Sequence, residues 1–354
     1  MIDLTDSHLA ALAGLAGGVM LGLAARVGRF CSMGAVEDAV YGADMGRMRM
    51  MAMAAAVAIA GTYVLLSVGA FDPNDTRYFR VAWSPIGSIV GGLLFGTGMA
   101  LVGTCGFGSL ARAGGGDLRG LVMVPVIGIT AYATIAGPLA PLRLWIVPVV
   151  PIEDGTFDHG IAQLTASRLS VSEFVPAAIA AMALAGWALL DARFRGLSGH
   201  LVWSVIAGAA IVLAWFATSR IAATSFDQIE TESYTFIAPL GQSILYLMTS
   251  GAGDLDFPLG AVAGVVLGAA IGSFFKDEFR WEACDDAREL GRQMMGAAMM
   301  GVGGVLAAGC TIGQGLSALS LLSLSAPVAI VSILVGARIG LYLLVEAKFL
   351  KRGA

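Results

Sequence analysis

Three of the four cysteines in this 354-residue sequence, Cys31, Cys105 and Cys310, stand in one glycine frame. Each has a glycine fourteen positions earlier (Gly17, Gly91, Gly296) and another nine positions earlier (Gly22, Gly96, Gly301). A third glycine follows each by three (Gly34, Gly108, Gly313). The strings RFCSMGA, GTCGFGS and AGCTIGQ share the order cysteine, small residue, apolar residue, glycine. With 48 glycines in the chain, one such coincidence is cheap, but three in register are not. A thiol offers a soft, polarisable, weakly hydrogen-bonding contact. A helix broken at membrane depth leaves N–H groups free, and free N–H groups at helix ends hold anions. Together these describe a passage for an anion with a sulfur-like end. Its candidate contacts are the three thiols, with Gly34, Thr104, Gly106, Gly108, Gly309, Thr311, Gly313 and Gln314 as loop backbone and lining.

Other chemistry fits less well. A lone cysteine in a membrane helix is ordinarily a small apolar packing residue, and only the shared frame argues against that here. Zinc wants clustered ligands, but the chain has no CxxC and only His8, His159 and His200. A membrane thiol–disulfide protein would need paired cysteines and a neighbouring base. Cys284 lies outside the frame and reads as structural. GGGDLRG (114–120) lacks the Lys-Ser/Thr ending of a phosphate loop, and GVGG (301–304) has no strand before it. The sequence therefore predicts no enzyme, no metal and no cofactor.

The elements that must hold these residues are membrane helices. The chain is 57% hydrophobic and 13% charged, whereas soluble domains are roughly 45–50% apolar and about 25% charged. One core cannot hide that much apolar surface, so a soluble enzyme and a disordered scaffold are excluded. A net charge of −4 provides no basic field for nucleic acid. The expected fold is an all-α polytopic membrane protein whose partners include membrane lipid.

Nine segments reach the roughly 20 apolar residues that cross a bilayer. They are about 8–27, 50–71, 84–105, 118–138, 172–190, 200–218, 257–275, 293–310 and 325–346. The stretch 234–250 is apolar but short, and reads as re-entrant or interfacial. Residues 1–10 carry Asp3 and Asp6 and no Lys or Arg, so the first segment is expected to be a retained helix. Among the 21 Lys and Arg, Arg77, Arg80, Arg143, Arg168 and Arg220 fall on one side and Arg338 within the last span. The rest fall on the other side, which predicts an external amino terminus and a cytoplasmic carboxyl terminus. Arg338, with Glu346 two turns on, is the one clear intramembrane charge.

The glycines at −14 and −9 lie about 140° apart around a helix, which predicts crowding on more than one side rather than one seam. The glycine after each cysteine is expected to supply unusual backbone angles. A degenerate fourth copy is expected at 260–277, with Gly268 nine residues before Asp277. Four units suggest an internally duplicated transporter, a single domain over 1–354. Its halves would span about 8–138 and 200–346, linked by an extracytoplasmic loop 139–171 and a helix 172–190. The densely charged stretch 276–292 is expected to form a cytosolic amphipathic helix.

GRFCSMGAVED (28–38), VGTCGFGSLARAGGG (102–116), GSFFKDEFR (272–280) and AAGCTIGQG (307–315) resemble the signature regions of the YeeE/YedE membrane family. The resemblance runs in order along nearly the whole chain. It implies an hourglass-shaped bacterial inner-membrane protein with pseudo-symmetric loops entering from both sides, and uptake of thiosulfate. Cys31, Cys105 and Cys310 match the cysteines that line the path and relay the anion by S–H···S contacts. The resemblance further implies a soluble TusA/SirA-like sulfur carrier as cytosolic partner. A second branch of the family handles selenium compounds, so the anion stays open between the two. Carrying a dianion inward against about 100 mV costs roughly 4.6 kcal/mol. With no buried acid or histidine chain to relay protons, passage is expected to be passive or drawn by metabolic trapping.

Overall fold

The computed structural model describes residues 5–80, 83–147, 160–225, 230–249, 255–282 and 286–352. Helix α1 (Asp6–Arg26) leads through a short α2 (Ser32–Glu37) to α3 (Gly46–Ser67). A single turn, α4 (Arg77–Arg80), precedes α5 (Pro85–Val102), a short α6 (Gly106–Gly114) and α7 (Leu118–Ile135). Two short helices follow, α8 (Ala140–Ile146) and α9 (Ile161–Leu169), then α10 (Phe174–Leu189), α11 (Ala192–Gly196) and α12 (Ser198–Thr224). The chain continues through α13 (Ile237–Met248), α14 (Phe257–Phe275) and α15 (Ala287–Leu306). A π-helical turn at Gly313–Ala318 separates these from α16 (Ser325–Arg352). The described residues contain no strand, only isolated bridges such as Thr76 with Thr231.

Each of the nine predicted segments coincides with one of the longer helices. Among the described residues, seven stretches are long and apolar enough to cross a membrane: α1, α3, α5 continued by α6, α7, α12, α14 and α16. Of the other two, α10 has only 16 residues, and α15 opens on Arg288, Glu289 and Arg292. Apolar side chains such as Val175, Ile179 and Met182 stay exposed along α10, as a lipid-facing surface requires. The chain is an all-α polytopic membrane protein.

Without a hydrophobic driving force between helices in lipid, close backbone approach must do the packing. α1 and α14 run parallel, with Gly14, Gly18 and Gly22 against Gly260, Gly264 and Gly268 on the facing helix. A Cβ at Gly18 would sit 2.6 Å from the Ala261 carbonyl oxygen, so nothing larger than glycine fits this seam. A second parallel pair, α5 with α16, uses Gly92 and Gly96 against Gly336 and Gly340. Two further pairs, α3 with α12 and α7 with α15, complete the frame. The frame glycines do face different neighbours: Gly17 meets Tyr234 and Gly22 meets α14, while Gly91 meets α15 and Gly96 meets α16.

Two expectations fail. The stretch 276–292 is not a helix of its own. α14 stops at Phe275, Asp277 takes a left-handed turn (φ 52°), and residues 278–281 are irregular. Asp286 then caps α15 by accepting from the Arg288 amide, so the later charges belong to the first turns of a long helix. Nor does 260–277 hold a fourth copy of the break. Gly268 lies inside α14 and faces Val19 of α1, serving the seam instead. Parts of the long loop 139–171 are helical (α8 and α9), while Glu153, Asp154, Asp158 and His159 lie outside the described residues, as does Cys284.

Candidate functional site

The three cysteines share a local geometry that explains their spacing. Two residues before each, the backbone turns left-handed: Arg29 (φ 56°), Gly103 (φ 77°) and Ala308 (φ 53°). Two of these are not glycine, so the turn costs about 1 kcal/mol or more at each, repaid by the surrounding packing. The cysteine thiol then accepts the amide of the glycine three positions on. Gly34 N donates to Cys31 Sγ at 3.5 Å, Gly108 N to Cys105 Sγ at 3.4 Å and Gly313 N to Cys310 Sγ at 3.4 Å. Each thiol thus occupies the N-cap place usually held by Ser, Thr, Asp or Asn. Because the sulfur serves as acceptor, its S–H remains available to donate.

The glycines after the cysteines are there for space rather than for backbone angle, since none of the three has positive φ. A side chain at Gly34 would strike the Arg47 guanidinium, at Gly108 the Thr104 hydroxyl, and at Gly313 the Thr235 hydroxyl. Gly106 is likewise covered by Ile237. Gln314 folds back, its amide donating to the carbonyls of Ala307 (2.9 Å) and Ala308 (3.1 Å) while Ser325 donates to its Oε1 (3.2 Å). That side chain secures the end of α15, beside Gly309.

All three cysteines are free thiols, Cys105 and Cys310 buried and Cys31 partly open. They converge on Cys105. Both Cys31 and Cys310 lie within electrostatic reach of it, and the hydroxyls of Ser32 and Thr311 hydrogen-bond its thiol. Ser32 Oγ also donates to Thr311 Oγ1 at 3.1 Å and lies 3.8 Å from Met99 Sδ. Ser32 and Met99 were not singled out in the sequence, although the small residue after each cysteine in the shared pattern was the available signal.

A fourth break, without a thiol, closes the site from another side. The connection 230–236 runs into α13, whose N-cap is Phe236. Ser317 donates to the Tyr234 carbonyl at 2.7 Å, Tyr234 Oη donates to the Gly14 carbonyl at 2.9 Å, and Phe236 packs on Phe107. α13 and this connection are the short apolar piece at 234–250, which is packed into the bundle through Ile237, Leu240 and Gly241.

The centre has charged approaches at the two ends of α14. Near its start, at Asp256, stand Glu230, Glu232 and Arg77. Burial, then Glu230 and Asp256, push the Glu232 carboxyl up to about 8 against the pull of Arg77. The neighbouring Tyr78, its phenol pushed up by burial and by Cys310, donates to the Gly313 carbonyl at 3.1 Å. Near the other end, Arg26 Nε donates to Ser273 Oγ at 2.7 Å. There a cavity of about 310 Å³ gathers Arg26, Arg112, Arg119 and Arg280 with Asp117 and Glu282. Arg112 lies within electrostatic reach of Cys31. Arg338 is away from this axis, its guanidinium 5.9 Å above the Tyr41 ring.

Fold and site define a polytopic membrane protein with a thiol centre set between broken helices. The family model described as Sulphur transport matches residues 27–339, a span that includes all three cysteines, and the chain belongs to that family, the YeeE/YedE proteins. Among its relatives, the thiosulfate transporter TsuA of Spirochaeta thermophila is 24% identical over 333 residues, covering 91% of this chain and 96% of its own length. The thiosulfate transporter TsuA of Escherichia coli K12 is 25% identical over 341 residues, covering 92% of each chain. The protein is a transporter-family member and not an enzyme.

Proposed function

We propose that this chain takes thiosulfate into the cell across the bacterial inner membrane, along a path that passes Cys310, Cys105 and Cys31 in turn. One observation carries the reading: three N-capping thiols, from breaks far apart in sequence, meet around Cys105 with their S–H groups free to donate. Thiosulfate is a dianion with a terminal sulfur. Thiols suit its soft end, and the amides and hydroxyls around them suit its oxygens. The two long relatives named as thiosulfate transporters support the substrate.

In this reading Arg77, Tyr78 and Glu232 stand at the outer mouth, and the arginine-lined cavity near Arg26 and Arg112 stands at the cytoplasmic exit. That sidedness agrees with the excess of Lys and Arg on the same face. The four helix pairs support a duplicated chain with halves 8–138 and 200–346. In each, the first helix of a broken unit lies along the last helix of a unit in the other half. The cavity at the exit, with four arginines, would deliver the anion to a TusA/SirA-like sulfur carrier. The test is uptake of labelled thiosulfate in a host lacking sulfate transport, against sulfate, sulfite and selenium analogues. Saturable uptake competed only weakly by sulfate is expected; transport of the selenium compound alone would move the chain to the other branch.

A further inference from the structure

The contact that joins the two outer cysteine loops is made by hydroxyls, not by thiols. Ser32 directly follows Cys31 and Thr311 directly follows Cys310, and the two hydroxyls meet at 3.1 Å although 279 residues separate them. Both residues are 7% exposed, and both hydroxyls also reach the Cys105 thiol. With Met99 Sδ at 3.8 Å from Ser32, the cluster leaves no gap between the loops at the level of Cys105. An anion cannot pass while the hydroxyls bond each other. A hydroxyl, however, turns about one staggered torsion and carries a single donor beside its lone pairs. Once the pair separates, both O–H groups can point at an incoming oxyanion, where a donor to a charged acceptor is worth more than one to a neutral oxygen.

We propose that Ser32 and Thr311 form the closed gate of the path, and on opening become the donors that read the oxygen end of a sulfur oxyanion while the thiols read its sulfur. The inference rests on the transport reading and adds the selectivity device to it. A species with only one of the two ends, hydrosulfide or sulfate, meets half of the contacts. Thiosulfate meets both.

The experiment uses the full chain purified into liposomes, with Ser32→Ala, Thr311→Val, and the hydroxyl-retaining Thr311→Ser and Ser32→Thr. Labelled thiosulfate influx is measured with hydrosulfide and sulfate as competitors. In parallel, the rate at which a small water-soluble alkylating reagent labels Cys105 is read peptide by peptide by mass spectrometry. Ser32→Ala and Thr311→Val should each raise KM for thiosulfate about tenfold, the effect of one charge-assisted hydrogen bond, with hydrosulfide inhibition unchanged. They should also expose Cys105 to faster alkylation, and Thr311→Ser should restore both readouts. Equal losses for thiosulfate and hydrosulfide, or parental KM with parental alkylation, would overturn the proposal. If the parent protein itself carries no thiosulfate, the transport reading fails, and the alkylation rates still decide whether the hydroxyl pair closes the path.

Discussion

Three of the breaks around the centre carry a thiol at the helix N-cap, and the fourth, before α13, carries Phe236 there instead. The difference separates two jobs that a broken helix can do in a membrane protein. The thiol breaks spend their capping atom as an acceptor for a glycine amide and keep a donor for a passing ligand. The Phe236 break offers no polar side chain. Its residues lock the others in place through Tyr234 on Gly14, Ser317 on Tyr234, and Ile237 over Gly106 and Gly304. The thiol breaks are therefore expected to govern transport, and the aromatic break stability.

The sharpest way to break this contrast is at the buried thiols. Cys105→Ala and Cys310→Ala should reduce thiosulfate uptake to background while leaving membrane expression and thermal unfolding close to parental; intact uptake in either would put the thiols outside the path. Next comes the aromatic break. Tyr234→Phe removes the phenol bond to Gly14 and should cost about 1 kcal/mol of stability, read as a lower melting temperature in detergent, with uptake nearly unchanged.

A third effect concerns the outer mouth. Glu232 is neutral below about pH 8 and gains its charge as pH rises through that value, adding repulsion where the anion enters. Uptake should fall across that window, and Glu232→Gln should hold the low-pH rate throughout. The same shift lies above the carboxyl's ordinary value, so it favours the folded protein at low pH. That contribution is lost as pH rises toward about 8. Unfolding curves of the parent and of Glu232→Gln, taken across that range, should converge at acid pH. Cys31→Ala should be milder than the buried pair, because Cys31 is partly open and water can replace its contact. The smallest effect is expected for Cys284→Ala, which should transport like the parent.

The helices were legible because each apolar run must cover its own backbone hydrogen bonds in lipid, and every such run is a helix in the structure. The cysteine frame was legible too, since a cap fixes the spacing of Cys31 to Gly34, Cys105 to Gly108 and Cys310 to Gly313. Its reason was not. The spacing suggested unusual backbone angles at those glycines, whereas close neighbours such as Thr104 and Thr235 demand them. The left-handed turns fall instead at Arg29 and Ala308, residue types that give no such signal.

Long-range partners were equally hidden. Gly268 looked like part of a fourth break because a seam between parallel helices and a helix break both favour glycine, and only the α1 neighbour tells them apart. The true fourth break has neither cysteine nor the glycine frame, so no pattern match could find it. The meeting of Ser32 with Thr311 follows from the fold alone.

The central claim is that thiosulfate travels past Cys105. The most direct measurement is labelled thiosulfate influx into liposomes holding either the parent chain or Cys105→Ala, at matched protein content and confirmed fold. Influx in the variant at the level of empty liposomes is the predicted result; influx equal to the parent's would contradict the account.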